Sequence, residues 1–241
     1  MLLTGCILFL PHSLAQRTQT DNVSSLPIAE LAVSNSATND PQRARRNQKY
    51  DAAGDNSPFS EKSPEESIFV SDNSISEEPA FPVSQSDLIM VGHVQSSAAY
   101  ISNDGKAVYS EYTTSLLKLI KGSGVAENSS VVIERLGGRI KLPSGKILTR
   151  CGINGKNHPK QNSTYIFFLK QNPEIESYDL TTAYELKGDL VYPLDHSSNP
   201  EEPIASLQNY DRYIGATKLQ FWEALGKEIR IKGTRTPVTP K

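Results

Sequence analysis

Between Asp87 and Leu194 the chain repeats one device: an apolar, β-favouring run too short for a buried helix, followed by a turn built from Gly, Asn, Asp or Pro. Such a series has few ways to bury its apolar side chains other than an antiparallel sheet or barrel. Asp87–Val94 opens it. Asn103-Asp104-Gly105-Lys106 turns the chain, and a long return strand runs over 107–120 to Lys121-Gly122-Ser123-Gly124. Ser130–Arg135 leads into Gly137-Gly138, where paired glycines in a β context predict a bulge or bend. Ser163–Lys170 is the most apolar segment and is expected to be the central strand, with two further strands near 178–186 and 190–194 about Lys187-Gly188-Asp189. From Thr217 to Ile229 the period changes: Leu219, Phe221, Trp222, Leu225 and Ile229 keep helical spacing, so the sheet is expected to carry one amphipathic C-terminal helix.

The fold class that follows is mainly β, an antiparallel OB-like barrel or meander sheet closed by that helix, over residues 85–231. No βαβ repeat is present, and the glycines at 122, 124, 137 and 138 do not compose the dinucleotide fingerprint, so no cofactor is implied. Only 37% of the 241 residues are hydrophobic, low for a chain folded end to end. Residues 16–84 are rich in Ser, Asn, Pro, Asp and Glu without apolar periodicity and are expected to form a disordered linker. A disordered tail is expected over 232–241. Charge divides the same way: residues 16–86 hold 6 basic and 11 acidic side chains, and residues 87–241 hold 19 and 16. A domain so weakly cationic, with 7% aromatic residues, does not have the footprint of a nucleic-acid binder. Within the linker, the basic run Pro41–Tyr50 reads as a solvated charge run, with an anionic surface contact or a protease site as alternatives.

The first fifteen residues carry no charged side chain, hold an apolar stretch over Met1–Leu10 and end Ser13-Leu14-Ala15. These features predict a secretory signal peptide, hence export to the periplasm or the extracellular space, with no integral membrane span after its removal. The basic n-region usual in such signals is missing. Leu3-Thr4-Gly5-Cys6 supplies a minor alternative, a lipid anchor through Cys6. With the leader removed, Cys151 is the sole cysteine, so no intramolecular disulfide forms; a buried small side chain is expected there, and an intermolecular disulfide stays open.

The order Ser86–Val94, then Leu119-Ile120-Lys121-Gly122, then Tyr165–Leu169 resembles the netrin and tissue-inhibitor-of-metalloproteinases type of OB-fold barrel, a pattern also found in bacterial secreted proteins, over about residues 86–170. The resemblance implies a closed five-stranded barrel with a flanking helix that binds extracellular proteins or inhibits proteases. Inhibitors of that type chelate zinc through an N-terminal cysteine, whereas this chain after export begins near Gln16, so that mechanism does not carry over. Cys151-Gly152 matches a cysteine-glycine step of those relatives without its disulfide partner.

Catalytic patterns are weak. His93, His158 and His196 lack metal-ligand spacing; His93 is expected to be half-buried and structural, and the other two solvated in polar loops. No G-x-S-x-G elbow occurs. The feature singled out as ligand-facing is the basic hairpin of Arg135, Arg139, Lys141, Lys146 and Arg150, alternating with Ile140 and Leu142, which suits an anionic glycan or an envelope protein; an ordinary solvated sheet face is the alternative. The functional expectation is a secreted or periplasmic non-catalytic binding module. A hydrolase with an unrecognised site, or a protease inhibitor by fold analogy, stands as the alternative.

Overall fold

The computed structural model of the chain describes residues 26–31, 40–53, 57–70, 79–153, 155–196 and 208–233. The leader over 1–15 with Cys6, and the tail beyond 233, lie outside the described residues. Ten strands are present among them: β1 (Ile28–Glu30), β2 (Glu66–Val70), β3 (Leu88–Ile101), β4 (Val108–Lys121), β5 (Ser130–Lys141), β6 (Ile147–Ile153), β7 (Thr164–Asn172), β8 (Ser177–Lys187), β9 (Leu190–Pro193) and β10 (Ala216–Thr217). Three helices accompany them, α1 (Pro41–Lys49), α2 (Gln208–Asp211) and α3 (Lys218–Gly233).

Five strands close on themselves. β3 pairs with β4 and β7, β4 with β5, β7 with β8, and β8 returns to β5 through Ile133↔Tyr178 and Glu134↔Asp179. Numbering those strands by themselves gives the ring 1-2-3-5-4-1, the OB connectivity. The barrel alternative of the sequence reading is therefore the one realised. Its closing pair is parallel while the other four are antiparallel. Closure removes sheet edges that otherwise invite pairing with other chains.

Alternation decides what fills the barrel. Leu88, Met90, Val94, Tyr112, Leu116, Val131, Ile133, Tyr165, Phe167 and Leu169 point inward and form one buried cluster. The intervening residues of β3, β7 and β8, including Ile89, Val91, Ile166, Phe168 and Tyr184, point outward and are buried under α3 through Phe221 and Leu225. Leu219, expected on that helical face, is instead 69% exposed, because two residues before Phe221 it falls on nearly the opposite side of the helix. Phe81 and Val83 belong to the same outer cluster, so the folded unit begins a few residues before 85.

β5 serves two sheets. Up to Leu136 it pairs with β4, and from Gly137 it pairs with β6. The bend expected at the glycine pair falls at this change of partner, where Gly137 takes φ +109°, a conformation closed to most side chains. Opposite it the backbones approach closely: a Cβ on Gly152 would lie 2.4 Å from the Leu136 carbonyl oxygen. Gly152→Ala is expected to cost about 1–3 kcal/mol by overpacking against backbone that cannot yield, read as a lower urea midpoint at unchanged m-value.

The span read as linker holds ordered elements. β1 pairs in parallel with β5, β2 pairs in parallel with β6, and Ala29 and Phe59 join Ala99, Val108, Ile140, Leu142 and Leu148 in a satellite core. These pieces are too short to show periodicity of their own and acquire order from the sheet they extend. α1 begins as helices do, with Asp40 Oδ1 accepting from the Gln42 backbone N–H at 2.9 Å and Pro41 in the first turn, and its last turn carries Arg46 and Lys49 at the negative end of the helix dipole.

Candidate functional site

The predicted basic hairpin forms, but not as one exposed cationic face. Arg150 is fully buried, its Nη1 donating to the Thr149 carbonyl at 2.8 Å, its guanidinium 5.4 Å from the Phe59 ring centre. Arg135 points to the opposite side and is also buried. Lys146 Nζ donates to the Glu61 and Ser63 carbonyls at 3.0 and 2.9 Å. Lys141 Nζ sits 3.6 Å from Glu30 Oε1, and Arg139 is half-buried where β1 pairs with β5. The five cations do not share one exposed face: Arg135 and Arg150 are buried, Lys146 is taken up by carbonyls of the segment 57–65, and Lys141 sits beside Glu30.

Arg135 organises a polar cluster at one end of the barrel. It grips Asp195 bidentately, Nη1 to Oδ1 at 2.6 Å and Nη2 to Oδ2 at 3.1 Å, and also donates to the carbonyls of Asn157, Leu180 and Thr181. Asp195 further accepts from the Asn157 N–H at 2.9 Å and lies 3.7 Å from Lys156 Nζ. Burial alone pushes its carboxyl up; the Arg135 and Lys156 charges overcome that and hold it below the usual range. This cluster pins the loop after β6 to the residues after β9.

His158, expected in solvent, is buried in that loop, its Nδ1 2.8 Å from the Tyr112 hydroxyl, and burial with the neighbouring Arg135 charge lowers its pKa to about 3. His196 is half-buried beside Asn157, with Nδ2 of that residue 3.0 Å from its Nδ1. His93 is half-buried as expected, Nδ1 3.1 Å from Thr164 Oγ1. Because His158 stays neutral in the fold and protonates near 6.5 when unfolded, the unfolded chain binds more protons between those values. Stability is therefore full above about pH 6.5 and falls on acidification toward 3, by up to about 1.4 kcal/mol per pH unit. Urea unfolding at pH 7, 6, 5 and 4 is expected to show that slope in the wild type and a shallower one in His158→Gln.

The densest charged contact lies where β4, β5 and β8 face outward under α1. Tyr112 and Ile133 point into the barrel, so Tyr109, Glu111 and Glu134 point away from it. Glu111 and Glu134 are nonetheless buried, because α1 covers them. Arg43 pairs with Glu111, its Nη2 to Oε2 at 3.0 Å, and lies 3.4 Å over the Tyr100 ring. Burial opposes its charge, yet the Glu111 carboxylate raises its pKa above the ordinary arginine value. Arg46 reaches Glu111 at 3.5 Å and Glu134 at 3.8 Å. Lys49 donates to Glu134 at 2.8 Å and pairs with Asp179. Tyr50 stacks on Tyr109 at 4.1 Å and donates from its hydroxyl to Glu134.

The loops that frame this face take part as well. From the β3–β4 turn, Asn103 donates to the Ala44 carbonyl and Asp104 accepts from the Ala52 N–H. On the β7–β8 side, Asn172, Glu174 and Ile175 form with Arg45, Gln48 and Lys49 a groove of about 620 Å³. The basic run is thus divided: Arg43, Arg46 and Lys49 are held by carboxylates, while Arg45 and Gln48 are exposed. Its signal was present as Asp40-Pro41 followed by cations at 43, 46 and 49, a helix start and one helical face, and the matching carboxylates were legible only as outward positions beside Tyr112 and Ile133.

Cys151 is half-buried on β6, where burial pushes its thiol up, away from the reactive thiolate. Among the described residues no three of His, Cys, Asp and Glu are grouped to hold a metal ion, and no helix is long and apolar enough to cross a membrane. Comparison with family models, curated proteins and solved structures yields no match to this chain.

Proposed function

We propose that the chain is an exported, non-catalytic binding module that engages a protein of the cell envelope through the outer face of β4 and β5 and the turns beside it. One observation carries the reading. OB barrels bind ligands on the face of their second and third strands and the loops flanking it, and in this chain those positions hold a cluster of aromatic and charged side chains contacting a cationic helix. The barrel interior is filled by side chains, which leaves recognition to the surface. Glu111, Glu134 and Asp179 are matched by Arg43, Arg46 and Lys49, so these pairs leave no cationic excess for phosphates and the face suits protein better than nucleic acid.

The test is capture of an envelope component by the full chain, followed by hydrogen exchange of the complex. Protection over residues 109–111, 133–136 and the turns at 102–107 and 173–176 is the expected result. Protection confined to α3, or chemical conversion of the captured component, overturns the reading.

A further inference from the structure

We propose that the acidic face of β4, β5 and β8 is a docking site for a cationic helix of a partner protein, and that α1 is its built-in competitor. The proposal rests on the binding-module reading and names the chemistry of the partner.

α1 is attached mainly by charge, with one apolar anchor at its C-cap, where Tyr50 packs on Tyr109. None of its nine residues is buried, and its inward side consists of Arg43, Ala44, Arg46, Asn47 and Lys49. Three cations on one helical side meet three carboxylates on three adjacent strands. A contact made mostly of ion pairs exchanges one occupant for another of like charge when the replacement restores each pair and supplies an aromatic in place of Tyr50 on Tyr109. Removal without replacement is different: Glu111 and Glu134, buried in the assembled fold, would face each other as uncompensated like charges. The face therefore demands a cationic occupant, in cis or in trans.

The internal helix is also an imperfect occupant. Glu134 Oε1 is buried and accepts no hydrogen bond, and Arg46 Nε, 3.8 Å away, is buried and makes none. The two face each other beyond hydrogen-bond reach. A helix free of the chain's own connections, whose middle arginine reaches Glu134 Oε1, closes that gap and competes with α1. The required pattern is arginine or lysine at i, i+3 and i+6 with a small residue at i+1 and an aromatic at i+7, the pattern of Arg43, Ala44, Arg46, Lys49 and Tyr50. This is the opposite chemistry from a phosphate-binding barrel face.

The probe is a fluorescein-labelled peptide with the sequence of residues 40–53, titrated by anisotropy into the full chain. Arg43→Gln, Arg46→Gln and Lys49→Gln together open the face in cis. That triple variant is expected to bind the peptide about tenfold or more tightly than the wild type, with affinity falling as salt rises, and to lose it on adding Glu111→Gln and Glu134→Gln. Equal binding by wild type and triple variant, or binding that survives loss of the two glutamates, overturns the proposal. Should the triple variant fail to fold, hydrogen exchange on the wild type decides: excess peptide is expected to speed exchange of the amides of residues 44–50, and unchanged exchange overturns it. Concentration-dependent dimerisation of the triple variant without peptide assigns the face to a second copy and also overturns it. If these tests fail while an envelope partner still protects β4 and β5, only the cationic-helix inference falls.

Discussion

Asp195→Ala is expected to lower the unfolding free energy by about 3–5 kcal/mol, the loss typical of removing one member of a buried ion pair. The reason is what stays behind. Arg135 keeps its charge with 6% of its side chain exposed and loses both carboxylate hydrogen bonds, and Lys156 loses the same partner. The Asn157 N–H loses its acceptor too, releasing the loop that carries His158. Urea unfolding monitored by the fluorescence of Trp222 measures the change. A double change, Arg135→Met with Asp195→Leu, separates charge from shape: it is expected to recover most of the loss, since apolar isosteres of buried pairs are often neutral or better. A loss below about 1 kcal/mol in Asp195→Ala is incompatible with a buried pair of this geometry.

Phe221→Ala comes next, with an expected cost of about 3–5 kcal/mol. Phe221 is fully buried and sits among rings, 4.7 Å from Tyr184, 5.1 Å from Phe81 and 5.4 Å from Tyr213, mostly edge to face. Its removal leaves a cavity shared by α3, the chain before β3 and the outer side of the barrel, where no single element can collapse into the space. The aromatic geometry adds to the area buried. Coincident loss of far-UV and near-UV signals in thermal melts is expected, because α3 closes the same core that the barrel strands build. A variant in which α3 melts alone, with the barrel transition unmoved, contradicts this.

These two sites differ in how much of them could be read in advance. Phe221 and Leu225 keep helical spacing, so the chain announces an amphipathic helix; strand after strand of alternating residues announces the sheet it must cover. Arg135 gave the opposite impression. It stands in the sequence beside Glu134 and shortly before Arg139 and Lys141, as if part of an exposed cationic stretch, and its partner Asp195 lies sixty residues away. Alternation states which side of a strand a residue takes, not what the far side of a barrel end places opposite it. The same holds for His158: its loop is polar, yet Arg135, Asp195 and Tyr112 lie around it.

The segment Pro41–Tyr50 marks the boundary most sharply. Composition described it correctly as basic, polar and without an apolar face, and such a segment does not order itself. What orders it is a set of carboxylates that become neighbours only when β4, β5 and β8 close the ring. Local patterns determine elements, because periodicity and turn chemistry act within a few residues. The sequence alone therefore determined the strands from β3 to β9, their turns and the C-terminal helix. Only the tertiary structure decided the parallel closure of β5 on β8, the burial of Arg135 and Arg150, and the docking of α1, because each depends on charges and backbones brought together from distant parts of the chain.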